Sequence, residues 1–322
     1  MTDSHDDVST SLFSAPSDAA SSPIVTLASR ADEDQWIWES FRYHSRTFSL
    51  ATRFLPPTVQ MPIATLYLFC RRVDTLADDR VLEVGAEQTL TELDDLRRHL
   101  DATLAGNPPN QVLWRRLGEV HDEYALNRTP LYELIDGARW DLEGCTVETL
   151  DDLVHYSNLV GGSVGAMMLP FLVSESSQRD ELDAPARKLG IAMQITNILR
   201  DVGEDVRHLD RVYLPSTWLR EHDVSIDSLR DGHVPDAYPG LMESIMEEAE
   251  WRYTESFDAI SALPWQCRTG IRGAARMYRE IMNEVRANKY DNLNHRAYTS
   301  FKRKLALVLF DTYARRKENL KA

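Results

Sequence analysis

The chain has little with which to build a disulfide framework or a thiolate metal site. Its 322 residues hold three cysteines, Cys70, Cys145 and Cys267, far apart and without CxxC spacing. A reducing cytosol is the simplest compartment for such a sequence. It lacks a basic start as well: no lysine or arginine precedes Arg30, so the opening residues read as neither a signal nor a transit peptide. Rich in Ser, Ala, Thr and Asp, residues 1–30 are expected to be a disordered tail, with residues 31–322 forming one domain. The longest nearly apolar stretch, Leu159 to Val173, is interrupted by Gly161, Gly162, Ser163 and Pro170. It falls short of the roughly 20 residues that a membrane span needs. Positive charge is outnumbered: 36 Lys and Arg stand against 51 Asp and Glu. The formal net charge of −15 repels nucleic-acid backbones, so no nucleic-acid partner is expected.

What is present is helical periodicity and enough apolar residues, 43%, to fill a sizeable core. Helices are expected near 34–52, 58–79, 86–104, 111–125, 130–143, 148–172, 179–205, 237–262, 267–289 and 298–318. Turn clusters such as Gly106-Asn107-Pro108-Pro109 separate them, and no strand-helix alternation appears. The fold class is therefore all-α, a single helical bundle. Residues 206–236 read as an ordered loop with a short helix.

Two of these helices carry acids where core residues belong. On a helix over 64–79, Tyr67, Arg71, Asp74 and Asp78 share one face, while Leu66, Leu68, Phe69, Val73, Leu76 and Ala77 cover the others. Over 191–205, Gln194, Asn197, Asp201 and Asp205 repeat the arrangement. If the stripes face each other, four carboxylates about 6 Å apart repel by roughly 2 to 3 kcal/mol per pair at an effective dielectric near 20. Such a cluster requires cations. Oxygen ligands without His or Cys favour a hard ion, and Mg²⁺ recruits substrate phosphates readily. A lone DxxxD is ordinarily a solvated face; two matched stripes in apolar helices are not. Buried charge networks, with Arg71, Arg72 and Arg200 neutralising the acids, are the plainer alternative. A carboxylate di-iron bundle would want Glu-x-x-His, which the sequence lacks. Gly203, inside the second stripe, fits a close approach of backbone to ligand, a kink or tight packing.

With both stripes in hand, the chain resembles the squalene/phytoene synthase family from about His44 to Lys304. The matching segments are His44-Ser-Arg-Thr-Phe48, Cys70 through Asp78, Tyr156 through Gly165, Gln194 through Asp205, and Arg211-Val-Tyr-Leu-Pro215. The resemblance implies an isoprenoid synthase fold with a central cavity, and head-to-head condensation of two isoprenoid diphosphates. It favours two geranylgeranyl diphosphates going to phytoene in carotenoid synthesis. Squalene or dehydrosqualene from farnesyl diphosphate is the alternative, with NADPH needed only for squalene. A non-catalytic assembly partner that keeps the fold is another, against which both intact acidic motifs speak.

By the same carry-over, Asp74, Asp78, Asp201 and Asp205, with Asn197 assisting, would hold Mg²⁺, or Mn²⁺ in its place. Arg71, Arg200 and Arg211 would bind diphosphate, with His44, Ser45, Gln194 and Tyr213 lining its site. Tyr156 and Tyr278 would stand near the reacting carbons and join the four aspartates as catalytic residues. Asp141 matches an acidic family position less firmly, and a solvated helix charge accounts for it as well. Asp79 competes with Asp78 as ligand, and the helical stripe favours Asp78. The spacing from Asp205 leaves Arg207, His208 and Arg211 open to a shift of register. The run Gly161-Gly162-Ser163-Val164-Gly165 is read as room for a prenyl chain beside a helix. A monomer working in the cytoplasm is expected. The basic residues Lys302, Arg303, Lys304 and Arg315-Arg316-Lys317 beside the apolar run Leu305 to Phe310 suit peripheral contact with the inner membrane face. A packed terminal helix with a solvated basic face is the plainer reading.

Overall fold

Local capping chemistry sets where the helices begin. The computed structural model describes residues 29–300 together with 302, 303, 306 and 307. The N-terminal tail and most of the expected helix 298–318, with its basic and apolar runs, lie outside the described residues; 298–300 are not helical. Ser29 accepts from the Asp32 amide at 3.2 Å and opens α1, Arg30–His44. Ser45 is extended (φ −142°, ψ 98°) and its hydroxyl accepts from the Phe48 amide, so the helix expected over 34–52 breaks there and restarts as α2, Arg46–Thr52. Pro57 suits the first turn of α3, Pro57–Thr75, because its missing N–H would be unpaired there anyway. A π-helical turn, Leu76–Arg80, and the short α4, Val81–Val84, continue it.

Next come α5 (Ala86–Leu104), α6 (Val112–Tyr124), α7 (Arg128–Leu142) and α8 (Leu150–Ser157), the last opened by a reciprocal Thr149–Asp152 capping box. The single helix expected over 148–172 is instead four pieces: α8, a π turn at Asn158–Gly162, α9 (Ser163–Met167) and α10 (Leu169–Leu172). The longest helix, α11, spans Ser176–Leu209, about 50 Å at 1.5 Å per residue. It runs past the expected end at 205, so the connection up to 236 holds two short helices, α12 (Ser216–Glu221) and α13 (Ile226–Arg230). Two long helices follow, α14 (Tyr238–Ile260) and α15 (Trp265–Ala287). The described residues contain no strand, as the periodicity demands.

Apolar residues gather in two main clusters on either side of a central space. One is built on α3, α5, α6, α7 and α10, around Phe69, Leu93, Leu117 and Leu131. The other is built on α11, α14 and α15, around Ile195, Ile245, Tyr253 and Met282. Val160 and Phe257 pack against both. No helix among the described residues is long and apolar enough to cross a membrane.

The glycine run at 161–165 packs against helix backbone, and Gly161, Val164 and Gly165 also border the central space. A Cβ on Gly161 would lie 2.5 Å from the Gly190 carbonyl oxygen, and one on Gly165 2.2 Å from that of Ala186. Both contacts are with α11 backbone, so the two segments touch main chain to main chain. Gly190 is the reciprocal partner: its added Cβ would stand 2.1 Å from the Gly161 oxygen. Backbone cannot swing aside as a side-chain tip does. Gly190→Ala should therefore cost about 1 to 3 kcal/mol, read as a lower urea midpoint with an unchanged m-value.

Candidate active site

One cavity of about 1890 Å³ opens between the two core clusters, and both acidic stripes reach it. From the first come Tyr67, Asp74 and Asp78; from the second, Gln194, Asn197, Arg200, Asp201 and Asp205. His44, Ser45, Tyr156, Tyr213 and Tyr278 complete the set of expected residues on its wall. The π turn decides between the two neighbouring acids. It keeps Asp78 on the cavity wall and turns Asp79 outward, where Arg71 donates to it at 3.0 Å. Arg71 thus stands beside the first motif without forming part of the wall, and its Nε is buried without a hydrogen-bond partner.

The register after Asp205 is equally plain. Asp210 adopts a left-handed conformation (φ 51°) that ends α11, and Arg211 then turns back beneath the first motif. It donates to Asp78 Oδ1 at 3.0 Å and to the Ala77 carbonyl at 2.8 Å, and stands 3.8 Å from Asp141. Arg207 and His208 are exposed, and Arg207 donates to the Leu293 carbonyl instead. Arg211 therefore links the two acidic segments from behind the wall.

Two residues matter more here than their sequence context suggested. Asp141, whose side chain is only 7% exposed, accepts from the hydroxyls of Tyr156 at 2.9 Å and Tyr213 at 2.8 Å. Those two rings stack with centroids 4.7 Å apart and planes 15° from parallel. Asp141 is no solvated helix charge; it holds a tyrosine pair and an arginine in one network. Arg296, which the motif reading did not single out, donates to Asp201 at 2.9 Å and to Glu204 at 2.9 Å. With Arg200, which donates to Asp201 at 2.7 Å, it gives that carboxylate two guanidinium partners. Gly203 explains how Arg296 gets there. A Cβ at 203 would lie 2.0 Å from the Leu293 oxygen, and the Gly203 amide donates to the Asn292 carbonyl at 3.3 Å. The glycine admits another strip of backbone, and that strip carries Arg296.

A model of the squalene/phytoene synthase family matches residues 41–303. The chain belongs to that family. Its relatives include the phytoene synthase of Rhodobacter capsulatus, 37% identical over 275 residues, which cover 84% of this chain and 78% of that protein. The phytoene synthase of Arthrospira platensis is 33% identical over 304 residues, covering 90% of this chain and 96% of its own. Among solved structures, a dehydrosqualene synthase in complex with ligand superposes with a TM-score of 0.79 at 33% identity, covering 88% of this chain and 97% of that one. Squalene synthase HpnC from Alicyclobacillus acidocaldarius shares the fold, with a TM-score of 0.72 at 22% identity over 80% of this chain and 95% of its own.

In this family member, burial and mutual repulsion raise the pKa values of several acids in the absence of a cation. Asp74 is exposed to the cavity yet ringed by protein atoms; desolvation first, then the charge of Asp78, push its pKa to about 7. Desolvation, then Asp201, push Asp205 to about 8. Asp78 is raised by desolvation against the pull of Arg211, and Asp141 is raised to about 6 by desolvation despite Arg211 and the two phenols. His44 is lowered by its own desolvation and by Arg71.

The donor set is oxygen throughout, which suits a hard divalent ion. Asn197 Oδ1, buried and without a hydrogen-bond partner, is a further oxygen on the same wall. Among the described residues no three His, Cys, Asp or Glu side chains gather closely enough to hold an ion by themselves. That fits an ion whose remaining ligands are phosphate oxygens and water, the usual state of Mg²⁺.

An unfolded aspartate gives up its proton near pH 4, whereas folded, cation-free Asp74 and Asp205 keep theirs to about 7 and about 8. At these two sites the folded chain thus binds more protons than the unfolded one, and their contribution to its stability falls as pH rises from about 4 towards 8. Urea denaturation in EDTA should show this fall. Added Mg²⁺ should restore more stability at pH 8 than at pH 6, because at pH 6 the ion must displace protons.

Proposed function

We propose that the protein joins two molecules of geranylgeranyl diphosphate head to head to make phytoene, in carotenoid synthesis. The observation that carries this is the meeting of the two acidic stripes at the open end of a large apolar cavity. The similarity to phytoene synthases along most of both chains supports it. As a member of its family the protein is a prenyltransferase; the choice of substrate and the residue roles are our reading.

On this reading, Asp74, Asp78, Asp201 and Asp205, with Asn197, hold divalent ions against the substrate diphosphates. Mg²⁺, or Mn²⁺ in its place, supplies when bound the positive charge that lets a diphosphate leave. Arg200, already on the wall, offers a planar guanidinium to diphosphate oxygens, with His44, Ser45 and Gln194 around it. Arg71 and Arg211, one step back, supply the positive field, and Arg211 is released towards diphosphate once Asp78 finds another partner. Loss of the first diphosphate leaves an allylic cation, which the double bond of the second substrate captures; loss of a proton from the resulting cation closes the three-membered ring of a cyclopropylcarbinyl diphosphate. Its ionisation, rearrangement and loss of a proton give the conjugated triene, with no reductant consumed.

The chain's task in these steps is to shelter cations. Water would quench them, and the walls around the reacting carbons are apolar or aromatic. Tyr278 packs beside Phe48 with ring centroids 5.5 Å apart, and Tyr156 stacks on Tyr213. With both hydroxyls of that pair donated to Asp141, the rings face a cation as electron-rich surfaces. The 33% identity to a dehydrosqualene synthase favours a second reading, the same chemistry on farnesyl diphosphate.

The test is direct. Purified protein, Mg²⁺ and each diphosphate, with and without NADPH, should yield phytoene from the twenty-carbon substrate without NADPH. Squalene formed only when NADPH is present would overturn the assignment. Asp74→Asn and Asp201→Asn should each lower kcat on the order of 10²-fold or more, with a native circular-dichroism spectrum. Asp74→Asn should also raise cation-free stability at pH 8, since it removes a carboxylate that burial disfavours.

A further inference from the structure

The cavity has a graded wall. At the open end stand Tyr43 and Tyr298, 64% and 69% exposed, and the aspartates lie just inside. At the other end the wall is made of Leu55, Ile63, Leu172, Leu182, Ile260 and Leu263, every one of them buried in the core. Both ends lie along α11: from Leu182 to Asp201 that helix advances about 28 Å. Along α3, Ile63 precedes Asp74 by about 16 Å in the same sense. The buried leucines and isoleucines therefore close a long apolar space whose far end is remote from the acids.

One contact on that floor is poised to change its depth. Leu55 and Gly270 both border the cavity, and Leu55 lies against the bare backbone of α15. A Cβ placed on Gly270 would lie 2.7 Å from Leu55 Cδ2 and 3.0 Å from its Cγ, with the Ala51 carbonyl oxygen at 3.2 Å. The first two neighbours are the end of a flexible side chain, which can turn; the space it can turn into is the cavity. Gly270 thus lets Leu55 lie back, and the absence of a side chain there keeps the floor deep.

We propose that the Leu55–Gly270 contact sets the longest prenyl tail the enzyme accepts. This rests on the reading of the cavity as the prenyl-diphosphate site, and it adds the residues that measure the tail. The chemistry at the acids is untouched by either residue, so changes here alter which substrate fits and leave the ionisation steps alone.

The experiment compares wild type, Gly270→Ala and Leu55→Ala with farnesyl, geranylgeranyl and geranylfarnesyl diphosphates, each with Mg²⁺, by kcat/KM and by product mass. Gly270→Ala should move the preference towards the shorter tail and Leu55→Ala towards the longer, each by about tenfold or more in the ratio of kcat/KM values for adjacent lengths. Those opposite directions are expected whichever length the wild type prefers. Unchanged ratios in active variants would overturn the proposal, as would shifts in the same direction. If Gly270→Ala fails to fold, Leu55→Ala alone decides, because a floor residue must admit a longer tail when cut back. A wild type that converts none of the three diphosphates would instead overturn the functional reading beneath it.

Discussion

Carboxylates of like charge, brought face to face at the lip of an apolar cavity, set the terms for the rest of this molecule. Helices α3 and α11 would repel each other there if all four aspartates were charged and bare. The cation-free fold meets this in two ways. Protons neutralise Asp74 and Asp205, which burial and their neighbours hold at about 7 and about 8. Guanidinium groups neutralise the others: Arg211 at Asp78, Arg200 and Arg296 at Asp201. On the proposed function, a divalent ion bound with a diphosphate would replace both kinds of neutralisation. The site is thus stable when empty and gains a stronger set of partners when loaded, which couples stability to occupancy.

Holding two repelling walls in register demands stiff connections elsewhere. The main-chain contacts of Gly161 with Gly190 and of Gly165 with Ala186 fix α11 against the segment behind it, with no side chain between them to flex. Gly203 does the same at the second acidic motif, locking in the strip that carries Arg296. Asp141 ties α7 to Arg211 and to two tyrosines from separate segments. Each of these is a polar or backbone contact near the cavity, while the apolar clusters supply the bulk of the burial outside it. Position at the site comes from directional contacts, and stability comes from area.

Much of this was legible in the residues because helical period is a strong signal. The acid stripes Asp74/Asp78 and Asp201/Asp205 reach one cavity, and the all-α class follows from the same periodicity. What periodicity misses is whatever departs from it. Ser45 breaks α1 from α2 by capping, and the π turns at Leu76–Arg80 and Asn158–Gly162 alter the facing of residues by inserting an extra position per turn. The stripe favoured Asp78 over Asp79 on a straight helix, and the residue stays on the wall although the helix is not straight there. Arg296 lies in an irregular segment after α15, where no period operates; the glycine at 203 was its one trace. Asp141 looked like any helix acid because its partners come from residues far along the chain.

The long helix α11 shows why such a protein can change its substrate without losing its chemistry. One rigid rod carries the floor, at Leu182, and the acids of the second motif, at Asp201 and Asp205, more than four turns apart. A change of side chain at the floor does not shift the acids, because the rod transmits little of a local repacking along its axis. Conversely, the electrostatic balance at the mouth depends on Arg200, Arg211 and Arg296, none of which lies at the floor. On the proposed function, length selection and ionisation are therefore separable in this fold. The distance between them along α11 is fixed by backbone geometry alone, so the depth available to a tail is set by the few side chains that cap the far end.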